Sequence, residues 1–561
     1  MFKLLSPGIW LALLWAILVV VSLSIRPLFP IDETRYVAVA WEMWLRNDFL
    51  IPHLNGEAYS HKPPLLFWLM QLSWGLFGVN DWSHRFIAPL FSLASLYLVQ
   101  AATRELWPDR KQIAEITPFI LLGFFFWMVF STLTMFDIML SFFALLGMYS
   151  LLRLVRYGLS FKRWALLGLA IGGGVLTKGP VILLHILPIA LLAPWWLNNA
   201  DINGLKPSPE GDGWVKGNQQ KPFSWPQWYG GLVLAIFIGA TVALCWAIPA
   251  GMAGGEVYQK AIFLGQTSGR VVDSFAHKLP FWWYLQILPL LLLPWLLMKP
   301  FWVGMRRLSF QDFGVRFCMA WTVPVVIAFS LISGKRIHYL LPLMPALALL
   351  LARALDQVAE YKWQRAHLWL MSALGFLGLA LALLPLLNGH FHWRDDLSSM
   401  SSVWGVVLCV SSICLSVLTA NNSKESVAYV CVATMLSALV FAGGFFDVYG
   451  ERYDTAPPAQ KIAELMEENK AVAFYGGKYH GQFNFSGRLT KPIAVIANIN
   501  ELRRFITQNP TAYILVEYKD LKGFQGTALS YHYPFKSHNV GFVTSQALLD
   551  NPGLLVALKP S

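Results

Sequence analysis

Five short stretches of this chain carry residues suited to chemistry on an anionic substrate. The first is Asp32-Glu33-Thr34-Arg35-Tyr36, directly after a long apolar run. Pro30 breaks the chain just ahead of it, and helical spacing puts Asp32, Arg35 and Tyr36 on one face. A carboxylate there would be buried by neighbouring helices, which is costly unless it has a partner or a task. The structural use of the same residues would be a helix-start cap with a snorkelling arginine. The second stretch, "EAYSHKPPLLFW" from residue 57, carries Tyr59, His61 and Lys62 ahead of Pro63 and Pro64. The prolines hold those residues extended, and a rigid lysine beside an aromatic hydroxyl suits a phosphate. Contact with lipid headgroups is the plainer alternative.

The third is "TMFDIML", with Asp137 alone between apolar segments, a functional candidate by its cost. The fourth, residues 269–285, carries Arg270, Asp273, His277 and Lys278. The fifth, "SGKRIHYLLPLMP", carries Lys335, Arg336, His338 and Tyr339, and Lys178 in "LTKGP" is a weaker member of the same kind. Two distant histidines, His61 and His277, do not define a metal site without a third ligand.

The elements that must position these residues are membrane helices. Of 561 residues 56% are hydrophobic and 13% charged, with 25 Trp and 38 Phe, which excludes an ordinary soluble protein. Apolar runs long enough to cross a hydrocarbon core of roughly 30 Å recur near 8–26, 84–103, 113–133, 138–155, 164–177, 180–198, 229–250, 281–303, 317–333, 339–357, 367–388, 402–420 and 427–447. The expected fold is therefore an all-α polytopic membrane protein of about thirteen spans. The net charge of +12 is scattered through short loops, the pattern of the positive-inside rule rather than of nucleic-acid binding. Those loops are placed in the cytoplasm, which puts all five candidate stretches on the other face. Lys335 and Arg336 there run against the rule, which favours anion binding. The five cysteines lie in or beside apolar segments and form neither a disulfide framework nor a thiolate site.

Two segments on the candidate face are too long for turns. Residues 27–83 hold an interfacial helix near 33–46 and an apolar piece near 65–77, and 251–280 is rich in glycine and polar residues. From 448 onward charged and strand-like stretches alternate. Residues 1–447 are thus expected to form the membrane domain and 448–561 a small soluble α/β domain on the candidate face. The stretch "YGGKYHG" at 475–481 has glycines without phosphate-loop order, and no catalysis is assigned to it.

Cations from separate loops beside two acids suit a lipid-linked phosphate donor: the cations hold the leaving phosphate and a carboxylate orients or deprotonates the acceptor. Asp32 to Tyr36, Tyr59-x-His61-Lys62-Pro63-Pro64, the Asp137 loop, His277-Lys278-x-Pro280-x-Trp282-x-Tyr284 and Ser333-Gly334-Lys335-Arg336-x-His338-Tyr339-Leu340-Leu341-Pro342 together resemble the bacterial aminoarabinose (lipid A) transferases and the wider protein O-mannosyltransferase-like group of GT-C fold. The resemblance runs from residue 1 to about 450. It implies an undecaprenyl-phosphate-linked sugar donor and inverting transfer to lipid A on the periplasmic side of the inner membrane. It further implies that Asp32 is essential, that Asp137 helps place the acceptor, and that Tyr59, Lys62, Arg270 and Tyr339 surround the donor phosphate. Glu33, Arg35, Tyr36, Lys335, Arg336 and His338 are expected as further substrate-binding residues. Where this chain has His61 the family commonly has a glutamate, which can share a zinc ion with the residue matching His277; histidine is also a zinc ligand.

The alternatives are a transferase of the same fold acting on protein or another envelope glycan and, from a different class, a proton-coupled transporter relaying through Asp32 or Asp137. Against the transporter, the acids are not mid-helix and no repeated halves are visible. An odd number of spans puts the N-terminus in the cytoplasm and the soluble domain in the periplasm. A cysteine introduced near Gly526 should accordingly react with an impermeant thiol reagent in intact spheroplasts, and protection there would put the span count off by an odd number.

Overall fold

The computed structural model describes residues 6–197, 224–265, 279–358, 360–391, 400–519 and 529–557. Among them nine helices are long and apolar enough to cross a membrane: Pro7–Ile25, Ser83–Leu106, Phe136–Tyr157, Phe161–Leu191, Trp225–Ala253, Phe313–Leu331, Ile337–Asp356, Trp363–Phe391 and Ser423–Glu467. Lys111–Leu122 and Phe125–Ser131 make a tenth if taken together across a 66° bend.

The other expected spans depart from plain helices for local reasons. The run near 281–303 is split into Trp283–Leu291, a tight turn at Trp295–Leu297, and Lys299–Arg307, with Pro289, Pro294 and Pro300 removing backbone donors along it. The run near 402–420 is the shorter helix Ser402–Ser416. The two runs 164–177 and 180–198 meet in the continuous helical stretch Phe161–Leu191, which folds back on itself between them as two spans require. A Cβ at Gly147 would meet Ile186 Cδ1 at 2.6 Å and Leu167 Cδ1 at 3.6 Å. In one continuous helix those two residues would stand about 28 Å apart at 1.5 Å per residue. The reversal falls at Gly179, whose φ of +77° ends Phe161–Lys178, and Pro180 opens the next turn.

Breaks in apolar helices free backbone groups that lipid cannot satisfy. Here two breaks satisfy each other. The Phe125 amide donates to the Leu293 carbonyl at 3.2 Å, and the Trp295 indole donates to the Ile120 carbonyl at 3.2 Å. Trp295 is fully buried, its ring filling the place where any residue larger than Gly123 would carry a Cβ.

Above the bundle lies a layer that carries the candidate residues. Asp32–Arg46 and Leu65–Phe77 are the two expected pieces of the long loop. Asn47 ends the first in the left-handed region, its N–H returning to Met43 and Trp44 carbonyls. Between them β1 (His53–Leu54) and β2 (Glu57–Ala58) pair antiparallel around Asn55-Gly56, both at positive φ.

The C-terminal region is α/β. Strands β3 (Val472–Tyr475), β4 (Ala494–Ile496), β5 (Tyr513–Tyr518), β6 (Leu529–Phe535) and β7 (His538–Thr544) form one sheet in the order β4-β3-β5-β7-β6. Strand β3 runs parallel to β4 and β5, while β7 is antiparallel to β5 and β6. Alternation sends Val472 and Phe474 to one core with Ile462 and Leu465, and Ala473 and Tyr475 to the other with Leu502 and Ile506. Helices thus cover both faces, which is why β3 is apolar at every position.

This domain is docked on the layer below it. Asn55 exchanges two 2.9 Å hydrogen bonds with the Ile493 backbone, and the Trp41 indole donates to the Leu489 carbonyl at 2.9 Å. Phe485, almost fully buried, stacks on Trp74 with ring centroids 5.3 Å apart.

Candidate active site

The first turn of the helix Asp32–Arg46 points adjacent acids in opposite directions. Asp32 and Arg35 form an ion pair, and the Tyr36 hydroxyl donates to Asp32 Oδ1 at 3.4 Å, so the three residues share a face as their spacing required. The Asp32 side chain remains 36% exposed and makes no capping bond to the helix N-terminus. The cap alternative is thereby set aside. Burial would lower Arg35, but Tyr59, Tyr36 and Asp32 outweigh it and hold the guanidinium above its ordinary value. Burial and the charge of Asp32 push the Tyr36 phenol up, which keeps it a donor.

Glu33 faces inward. Its carboxylate takes both Arg26 guanidinium nitrogens, the Phe29 amide at 2.7 Å and the Thr134 amide at 2.5 Å. Arg26 also donates to the Thr132 carbonyl at 2.5 Å, and Arg85 donates to the Arg26 carbonyl at 2.9 Å. Burial alone would raise the Glu33 carboxyl; Arg26, Arg85 and the Thr134 amide outweigh it and hold it below the usual carboxylate range. With four donors on two oxygens and a side chain 2% exposed, Glu33 has no lone pair left for substrate. The expectation that it binds substrate is corrected to a structural clamp.

Beyond Asp32 opens a cavity of about 990 Å3. It collects Arg35, Tyr36, Tyr59, His61, Lys62, Asp137, Arg336, His338 and Tyr339, so most of the residues read from the sequence line one cavity. Tyr59 is buried with its ring edge-on to His61, 5.3 Å between centroids. Lys62 Nζ lies 5.8 Å from the Phe136 ring centre. Asp137 is 3% exposed and paired with Lys178 Nζ at 2.5 Å, and that ammonium sits 4.8 Å over the Tyr339 ring. The reversal at Gly179 is what delivers Lys178 there. Its partnership with Asp137 is invisible in the sequence, where nothing marks the two segments as neighbours.

Lys335 is the second correction. It is buried, and its Nζ donates to the Leu279 carbonyl at 3.0 Å and the Ile332 carbonyl at 2.6 Å. It closes the loop mouth while its neighbour Arg336 faces the cavity. Arg270 and His277 lie outside the described residues. Among the described residues no three His, Cys, Asp or Glu side chains gather to hold a metal. Of the expected zinc pair, His61 lines the cavity and His277 lies outside the described residues, so no chemistry is assigned to a metal.

The lining has charged and apolar parts. Five lysine and arginine side chains face three carboxylates, Asp32, Glu57 and Asp137, an excess of positive charge suited to an anion. Met135, Phe136, Leu140, Val181, Leu184, Phe329 and Ile332 make the rest apolar and continuous with the membrane helices. The arrangement takes a ligand that is phosphate at one end and hydrocarbon at the other. Five lining positions from the C-terminal domain had no assignment from the sequence: Gly477, Lys478, Tyr479, His480 and Val495.

The fold is that of an integral-membrane protein of GT-C type. The particular likeness is to the aminoarabinose transferases and their protein-mannosyltransferase-like relatives, as the motifs implied. Residues 61–201 match a sequence model of the family described as dolichyl-phosphate-mannose-protein mannosyltransferase. The undecaprenyl phosphate-alpha-4-amino-4-deoxy-L-arabinose arabinosyl transferase of Pectobacterium atrosepticum is 27% identical over 463 residues, 79% of this chain and 76% of that one. The enzyme of the same description from Aeromonas salmonicida is 28% identical over 397 residues, covering 69% and 67%. The crystal structure of ArnT from Cupriavidus metallidurans bound to undecaprenyl phosphate superposes with a TM-score of 0.72 at 19% identity, covering 96% of this chain and 98% of that one.

The two neighbouring acids make opposite predictions. Glu33→Gln leaves Arg26 buried without its counter-charge, at a cost of about 3 to 5 kcal/mol, and should lower the unfolding temperature in detergent. Because the folded pKa of Glu33 lies below the unfolded value of about 4.3, its stabilising contribution is complete above that pH and is lost as pH falls through the folded value. The parent should therefore lose stability more steeply than Glu33→Gln on acidification below about pH 4. Equal acid slopes would contradict the clamp.

Proposed function

We propose that this chain transfers 4-amino-4-deoxy-L-arabinose, or a closely similar sugar, from undecaprenyl phosphate to lipid A on the periplasmic face of the inner membrane. The observation that carries this reading is the mixed lining of one cavity: Asp32 with five lysine and arginine side chains, together with apolar side chains of the membrane helices. The relatives named above are described by that donor and that sugar. The donor phosphate lies against Lys62, Arg336, Tyr59 and Tyr339, with its prenyl chain along those apolar side chains. Arg270, outside the described residues, is assigned to the same phosphate.

The acceptor oxygen attacks the anomeric carbon from the side opposite the phosphate. As that bond forms, the bond from the anomeric carbon to the phosphate oxygen breaks, and the electron pair leaves on a phosphate already matched by cations. Inversion follows from the single displacement. Asp32 holds Arg35 and Tyr36 in place beside the acceptor and takes the acceptor's proton when it carries one. Asp137, fixed by Lys178, helps place the acceptor.

Purified protein in lipid nanodiscs, with no gradient present, should consume the polyprenyl-phosphate sugar and add the mass of one aminopentose to lipid A. Asp32→Asn should extract and unfold like the parent, still bind donor, and transfer at least about 100-fold more slowly. Near-parental transfer by that variant would move the chemistry to another acid. A product mass other than an aminopentose on lipid A would overturn the substrate assignment.

A further inference from the structure

The soluble domain forms part of the cavity itself. The loop after β3 lines the cavity with Gly477, Lys478, Tyr479 and His480, the cavity that Asp32 and Arg35 also line. It is held there by its own contacts. Tyr479 donates to Asn484 Oδ1 at 2.6 Å, and the His480 amide donates to Gln482 Oε1 at 2.9 Å. Gly481, at φ +69°, presses so closely on the layer below that a Cβ would meet Leu54 Cδ1 at 2.4 Å and Ala38 Cβ at 3.4 Å. Ala38 belongs to the helix that begins with Asp32, so the loop and the carboxylate are referenced to the same rigid element.

The side on which this loop sits limits what it can touch. A prenyl chain must lie along side chains of the membrane helices, and the loop belongs to the C-terminal domain, outside those helices. Lys478 is exposed, with its charge at the cavity. Burial together with Arg35 and Lys478 lowers the His480 imidazole, so that near neutral pH it is an uncharged hydrogen-bonding group beside two cations.

We propose, on the donor and acceptor reading above, that Lys478 and His480 form the acceptor-recognition edge of the site and bind the anionic phosphorylated headgroup of the acceptor glycolipid. Lys478 supplies charge to the headgroup phosphate and His480 a hydrogen bond, while the donor is held from the membrane side. The soluble domain is in this way a specificity element and not a passive appendage.

The test separates the two substrates kinetically. Lys478→Glu and the milder Lys478→Gln change an exposed side chain and should leave the unfolding temperature unchanged. Expected is a rise in acceptor KM of about tenfold or more for Lys478→Glu and a smaller rise for Lys478→Gln, with donor KM within about twofold of the parent. Acceptor KM within twofold of the parent in both variants, or donor and acceptor KM rising together, would overturn the assignment while leaving the proposed reaction standing. A parent protein that transfers nothing to lipid A would overturn the reaction and this edge with it.

Discussion

The ion pair between Arg26 and Glu33 is the interaction on which the rest of the site depends. It joins the end of the first membrane helix, the start of Asp32–Arg46, and the loop at Thr132 and Thr134. Asp32 is the next residue on one side of that junction and Asp137 stands three residues past Thr134 on the other. One buried pair thus sets the relative placement of both acids. Removing either member costs far more than an exposed pair would, because the survivor stays buried with its charge. A similar economy appears at the reversal at Gly179, which turns a single apolar run into a hairpin and brings Lys178 onto Asp137.

Much of the architecture followed from properties that act locally. Helical spacing alone put Asp32, Arg35 and Tyr36 on one face, and Tyr59 to Lys62, ahead of the two prolines, line the cavity outside any helix. Apolar length announced the membrane helices, and the change of texture near 448 announced the small α/β region. The helix Ser423–Tyr453 runs through the expected boundary at 447, since nothing in its charge pattern obliges it to stop where the lipid does.

What was misread had the right residue type in the wrong orientation. Glu33 and Lys335 are charged residues inside motifs whose other members do face the cavity. Only the burial supplied by distant chain reveals that the first is taken up by Arg26 and Thr134, the second by backbone carbonyls. Span counting failed at 281–303, where prolines divide the apolar run, because mean hydropathy does not register a break that is satisfied by another break, whereas the two spans read on either side of 178–179 do fold as a hairpin. The loop at 475–481 could not be read at all as a cavity wall. Its neighbours on the helix Asp32–Arg46 are more than four hundred residues away in sequence, and its glycines signal only that a close approach is allowed.

The central claim is that one cavity, lined by Asp32, receives the lipid phosphate. A cryo-EM map of the protein saturated with undecaprenyl phosphate addresses it directly. Phosphate density within hydrogen-bonding reach of Lys62 or Arg336, with prenyl density along Met135, Leu140 and Leu184, is the predicted result. Phosphate density outside this cavity, with the space beside Asp32 filled only by solvent, would contradict the claim.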